Sequence, residues 1–107
     1  MQRFTGKNIL ITGAAAGIGR ATAERIASEG GHVFCVDVLE AGLMETVEQI
    51  TKAGGNVDWA LCDIGKLESI QLTLKTAIEK MGSLDVLVNV AGVIKMQNFE
   101  RSTDDNW

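Results

Sequence analysis

Thr12-Gly13-Ala14-Ala15-Ala16-Gly17-Ile18-Gly19 stands between an apolar run, Asn8-Ile9-Leu10-Ile11-Thr12, and a segment with helical periodicity. The run reads as a buried strand that Gly13 ends. Beyond the loop, from Gly17 to Gly30, residues Ile18, Ala21, Thr22 and Ile26 recur on one helical face, and the pair Gly30-Gly31 stops the helix. A strand that turns through glycines into a helix is laid out to hold a phosphate. A pyrophosphate there needs a sharp turn, close approach of the backbone to its oxygens, and tight packing of helix on sheet. Glycine meets each need, because it has no β-carbon and tolerates positive φ. The free N–H groups of the first helical turn and the positive end of the helix dipole supply the charge complement. The spacing is GxxxGxG rather than GxGxxG, and a glycine-rich turn kept for packing alone is the competing reading.

Working outward, His32-Val33-Phe34-Cys35-Val36-Asp37 reads as a second strand. Leu39, Leu43, Val47 and Ile50 then recur at helical spacing until Gly54-Gly55. A third strand runs from Val57 to Cys62 and ends on Asp63. Leu67, Ile70, Leu74, Ala77, Ile78 and Met81 form the apolar stripe of a third helix that Gly82 terminates. Leu84 to Val90 is nearly all apolar, as expected of a parallel strand covered on both faces. The order is βαβαβαβ. Such alternation implies parallel strands with right-handed helical crossovers. The expected fold is therefore α/β, a Rossmann-type doubly wound parallel sheet with strand order 3-2-1-4, stopping before its second half. Residues 1–107 are expected to form one dinucleotide-binding domain, incomplete on its C-terminal side.

Asp37 ends the second strand some two dozen residues beyond Gly13, beside the loop. A carboxylate there can accept hydrogen bonds from ribose hydroxyls, and it would repel the 2′-phosphate of NADP. NAD is thus the expected cofactor. The competing reading of Asp37 is a solvent-exposed strand end.

Composition narrows the classes. The chain has 107 residues, 46% of them hydrophobic and 22% charged, with a net charge of −4. That is ordinary globular chemistry, without the basic cluster that binding to nucleic-acid phosphates would need. No apolar run approaches the ~20 residues of a membrane span, and the N-terminus lacks the layout of a signal peptide. A cytoplasmic protein without membrane or nucleic-acid partners is expected. Cys35 and Cys62 are too far apart for a CxxC site and lie in apolar segments, so both read as reduced core residues and no metal site is assigned. His32 reads as a strand-edge residue.

Taken together, Thr12-Gly13-x-x-x-Gly17-Ile18-Gly19, Asp37, Asp63 and Asn89-Val90-Ala91-Gly92 resemble the short-chain dehydrogenase/reductase family over essentially the whole chain. The resemblance implies an NAD(P)-dependent oxidoreductase that interconverts a small-molecule alcohol and carbonyl, commonly as a homo-tetramer or dimer. Carried over by position, it implies cofactor contacts from Gly13, Ala16, Gly17, Ile18, Gly19 and Asp37. It further implies that Asp63 contacts the adenine with Ile64 beside it, and that Asn89, Ala91 and Gly92 line the ribose and nicotinamide side. Two departures stand out. Val90 replaces the second Asn of the family's Asn-Asn-Ala-Gly, and Ala15 or Ala16 stands where NADP-preferring relatives often carry a cation.

The family's chemistry uses a Ser, a Tyr and a Lys four residues after that Tyr, all expected beyond Trp107. This chain contains no tyrosine. No catalytic residue is therefore assigned, Lys95 reads as a loop charge, and the chain alone is expected to be inactive. Ser102 to Trp107 reads as a helix start with Ser102 as N-cap. Besides an oxidoreductase seen through its cofactor-binding half, a naturally short non-catalytic dinucleotide-binding or regulatory module stays open. Another Rossmann-type enzyme, such as a methyltransferase, fits the spacing less well. The substrate is not legible in these residues.

Overall fold

A computed structural model describes residues 2–90 of the chain. Its elements alternate along the chain as β1 (Asn8–Thr12), α1 (Gly17–Ser28), β2 (His32–Asp37), α2 (Glu40–Lys52), β3 (Asn56–Leu61), α3 (Leu67–Met81) and β4 (Val86–Asn89). The strands form one parallel sheet in the order β3-β2-β1-β4, as the sequence implies. Thr12 pairs with Val36 on one side and Asn89 on the other, so β1 is central and its C-terminal end opens between the other strands' ends. The strand order reverses direction at β1, and that is where crevices form in open α/β sheets.

Alternation along β1 and β2 divides the core between the two faces of the sheet. Ile9, Ile11, Val33 and Cys35 face α1 and α2, meeting Ala23, Ile26, Ala27, Leu43 and Ile50. Leu10, Phe34 and Val36 face the other way, with Ala77 of α3 and Cys62. Phe34 is the largest fully buried side chain. Burying one such residue contributes roughly 1.5–3 kcal/mol.

The helix faces depart from the sequence reading in instructive ways. In α1 the buried residues are Gly19, Ala23, Ile26 and Ala27, whereas Ile18 is 75% exposed and Ala21 is exposed. The helix is turned so that its smallest residues meet the sheet, which brings its axis closer than a stripe of Ile18 and Ala21 would allow. In α2, Leu39 precedes the helix and is 63% exposed, while Thr46 is fully buried. Its hydroxyl donates to the Ala14 carbonyl at 2.7 Å, a polar reason for burial that apolar periodicity does not register. In α3, Thr73 and Ala77 are buried while Ile70, Leu74 and Met81 pack beside them, and Leu67 and Ile78 lie on the exposed flank.

The edge strands also differ. β3 begins and ends one residue earlier than expected. β4 is shorter than Leu84–Val90, and none of its residues is fully buried. Among the described residues α3 covers only part of one face, so β4 is the outer strand rather than one covered on both sides. Its start is fastened to β1 by Asn8, whose backbone N–H donates to Asp85 Oδ2 at 2.8 Å and whose Nδ2 donates to Ser83 Oγ at 3.1 Å. No helix among the described residues is long and apolar enough to cross a membrane.

Candidate functional site

The carboxyl ends of β1, β2 and β3 and the start of α1 enclose a cleft of about 480 Å³. Seven of the residues singled out from sequence line it: Gly13, Ala16, Ile18, Gly19, Asp37, Asp63 and Ile64. Val38, Cys62 and Val90 line it as well, and the sequence reading did not place them there. The exposure of Ile18 and of Val38, which is 63% exposed, is what brings these apolar surfaces to the opening. Gly17 and Asn89 do not line the cleft. Ala91, Gly92, Lys95 and the Ser102–Trp107 segment lie outside the described residues.

The glycines answer to geometry. Gly13 has φ 69° and Gly17 φ 58°, both in the left-handed region that favours glycine. Gly19 has an ordinary φ but no room, since a β-carbon there would fall 1.8 Å from the Gly13 carbonyl oxygen. The start of α1 is thereby pressed against the end of β1. Helix α1 has no side-chain cap at Ala16 and no acid in its first turn. By contrast, α2 and α3 carry Glu40 and Glu68 in theirs. The positive end of α1 therefore faces the cleft without a counter-charge from its own first turn, and Asp37, which bonds the Ala15 N–H, is the carboxylate beside it.

Asp37 is more engaged than a solvent-exposed strand end. Its Oδ2 accepts the Ala15 N–H at 3.0 Å, and its Oδ1 accepts the N–H groups of Val38 at 2.7 Å and Leu39 at 3.1 Å. The carboxylate ties the loop to the turn after β2 and keeps acceptor capacity on Oδ2. Asp63 Oδ1 accepts the Gly65 N–H at 2.9 Å, which closes the turn after β3.

Asn89 has a different place. Thr12 Oγ1 donates to Asn89 Oδ1 at 3.0 Å and accepts the Val90 N–H at 3.1 Å. The asparagine side chain thus joins the ends of β1 and β4, while Val90 packs against the core beneath the cleft.

Behind the loop lies a polar cluster that the sequence reading missed. Arg20 donates from Nη2 to the carbonyls of Ala15 at 2.5 Å and Gly42 at 3.1 Å, and from Nε to Thr46 Oγ1 at 2.8 Å. Its Nη1 reaches Glu45 at 3.3 Å. A signal was present, because a cation in the first turns of a helix opposes the dipole and calls for a specific partner.

Two larger cavities lie elsewhere. One, of about 540 Å³, adjoins the Gly30-Gly31 and Gly54-Gly55 turns at the opposite end of the sheet. The other, of about 600 Å³, lies between α3 and β4. Neither lies at a helix N-terminus. No group of three or more His, Cys, Asp or Glu among the described residues is placed to hold a metal ion. Buried Cys35, whose thiol desolvation pushes up to about 12, lies in the core and not at the cleft.

The family model for short chain dehydrogenases matches residues 7–107. The chain belongs to this short-chain dehydrogenase family. The short-chain reductase protein NovJ of Streptomyces niveus is 40% identical over 98 residues, covering 92% of this chain and 37% of that protein. A short chain dehydrogenase from Mycobacterium smegmatis superposes with a TM-score of 0.82 at 40% identity, over 87% of this chain and 40% of the other. A metagenomic short-chain oxidoreductase in complex with NADP superposes with a TM-score of 0.80 at 32% identity, over 84% of this chain and 41% of the other. The chain spans less than half the length of each of these relatives. Their names are those of reductases, dehydrogenases and oxidoreductases, and this member of the family shares its parallel Rossmann-type sheet and helical crossovers with the two solved structures.

Proposed function

We propose that the cleft binds NAD(H), and that the whole protein is an oxidoreductase interconverting an alcohol and a carbonyl. The observation that carries this is the open N-terminus of α1, held against β1 by the Gly19–Gly13 contact. A β-carbon on Gly19 would push α1 off β1, and the first turn of α1 carries no acid of its own. The residues therefore fit a dinucleotide. Gly13, Ala16, Ile18 and Gly19 would surround the pyrophosphate, with Gly17 shaping the turn between them, Asp37 would take a ribose hydroxyl, and Asp63 and Ile64 would adjoin the adenine. Asn89, Ala91 and Gly92 would serve the nicotinamide side, Asn89 by positioning the end of β4 through Thr12.

A bound nicotinamide dinucleotide supplies or accepts the hydride. This chain's residues bind it, orient it and exclude water from one side. Preference for NAD(H) rests on the Asp37 charge and on a cleft lining without Lys or Arg among the described residues. The NADP-bound relative weighs against extending that preference to the family at large. The substrate would be a small molecule, and the whole protein a cytoplasmic homodimer or homotetramer.

Titration of the protein with NADH and with NADPH tests the reading. Saturable binding that is tighter for NADH is expected. No binding of either would remove the nucleotide assignment, and tighter NADPH binding would remove the preference.

A further inference from the structure

Three backbone groups of the loop are held by side chains. The Ala14 carbonyl accepts from Thr46 Oγ1 at 2.7 Å, the Ala15 N–H donates to Asp37 Oδ2 at 3.0 Å, and the Ala15 carbonyl accepts from Arg20 Nη2 at 2.5 Å. Arg20 and Thr46 are themselves joined at 2.8 Å, and Thr46 is fully buried. The cluster also anchors α2, because Arg20 reaches the Gly42 carbonyl, and Gly42 lies so near Ala15 that a β-carbon would fall 2.6 Å from the Ala15 oxygen.

We infer that Arg20 and Thr46 are positioning residues for the pyrophosphate, aiming the loop's free N–H groups into the cleft from behind. The physical reason is peptide planarity. In a trans peptide the carbonyl and the following N–H point in opposite directions. Fixing the Ala15 carbonyl toward Arg20 therefore turns the Ala16 N–H away from Arg20, and Ala16 lines the cleft. The Ala15 N–H, spent on Asp37, is no longer a phosphate donor. The remaining donors are the Ala16 N–H and those of the first turn of α1, which have no intrahelical acceptors. A half-buried cation behind the loop thus orients an anion site without touching the anion. A loop free to rotate would have to be ordered by the ligand, at a cost in affinity.

The inference rests on the nucleotide reading of the cleft. The test compares ADP-ribose, which carries the pyrophosphate, with adenosine, which lacks it, by NMR titration of the wild-type protein and of Arg20→Met, Arg20→Lys and Thr46→Val. Arg20→Met is expected to weaken ADP-ribose binding by about tenfold or more, since it removes hydrogen bonds from a charged group. Adenosine affinity should change by less than about twofold, a factor worth only a fraction of RT per binding event. Arg20→Lys should recover part of the loss, because an ammonium can still reach one carbonyl. Thr46→Val, which keeps the side-chain volume, should act in the same direction and carries the test if Arg20→Met does not fold. Equal losses for both ligands, or unchanged ADP-ribose binding in folded Arg20→Met or Thr46→Val, would overturn the positioning role. Failure of the wild-type protein to bind ADP-ribose would overturn the nucleotide reading itself, and this inference with it.

Discussion

Gly19 rests on the carbonyl of Gly13, leaving 1.8 Å where a β-carbon would meet that oxygen. The contact joins the end of β1 to the first turn of α1. Its obstacle is backbone, which cannot swing aside as a side chain would. Helix and strand must separate if anything larger than hydrogen occupies this position.

Replacing Gly19 with alanine is accordingly expected to destabilise the protein by about 3 kcal/mol, the upper end of ordinary overpacking. NADH binding should fall below detection in whatever fraction remains folded. Gly54→Ala is the control, because Gly54 has φ 85° but open space around it, at the far end of the sheet. That change should cost about 1–2 kcal/mol of backbone strain and leave NADH affinity alone. Urea unfolding and fluorescence titration of both variants decide the matter.

Asp37 combines a charge with three backbone hydrogen bonds. Removing it in Asp37→Ala is expected to weaken NADH binding by about tenfold, and NADPH binding should not improve to the wild-type NADH level. A simple exchange of cofactor preference would mean that the carboxylate acts by charge alone. Parallel titrations with both nucleotides distinguish the outcomes.

Glu29 predicts a pH effect far from the cleft. Its side chain lies between Arg3 and Arg25, and hydrogen bonds from Arg3 and then Arg25 lower its carboxyl from 4.5 to about 2. A carboxylate depressed on folding stabilises the protein fully above its unfolded value, and that contribution is lost as pH falls through the folded one. The stability gap between wild type and Glu29→Gln should therefore be constant above about pH 4.5 and shrink toward pH 2. Denaturant titrations across that range give the gap directly, and a pH-independent gap would contradict the assignment.

The two thiols should separate chemically. Burial pushes Cys35 up to about 12, so it should resist iodoacetamide at neutral pH until the protein unfolds. Cys62 lines the cleft at 7% exposure. Slow labelling of Cys62 that ADP-ribose suppresses is expected, and mass mapping of the labelled peptides reads both results.

The 107-residue chain on its own should show no NADH turnover with carbonyl compounds, since it lacks a tyrosine to serve as proton donor. It should also self-associate through β4, whose Val86 is 41% exposed at the sheet's outer edge among the described residues. Val86→Lys should raise the monomer fraction in size-exclusion chromatography.

Much of this was legible in order and spacing. Apolar runs, glycine stops and helical periodicity located each element of the described residues, and the parallel order followed because consecutive parallel strands require crossovers. The loop announced itself through Gly13, Gly17 and Gly19, and Asp37 through its distance from them. These are local properties, carried by the chain's own covalent geometry and by hydrophobic alternation. The rotation of α1 was not legible, because the closeness of Gly19 to Gly13 sets it and periodicity counts a glycine as nothing. Nor was the role of Arg20, which depends on Gly42 and Thr46 arriving from another helix. Asn89 is placed by Thr12, 77 residues earlier in the chain. Polar contacts between distant segments leave no periodic trace, so only the tertiary structure decided which side chains face the cleft and which hold its walls.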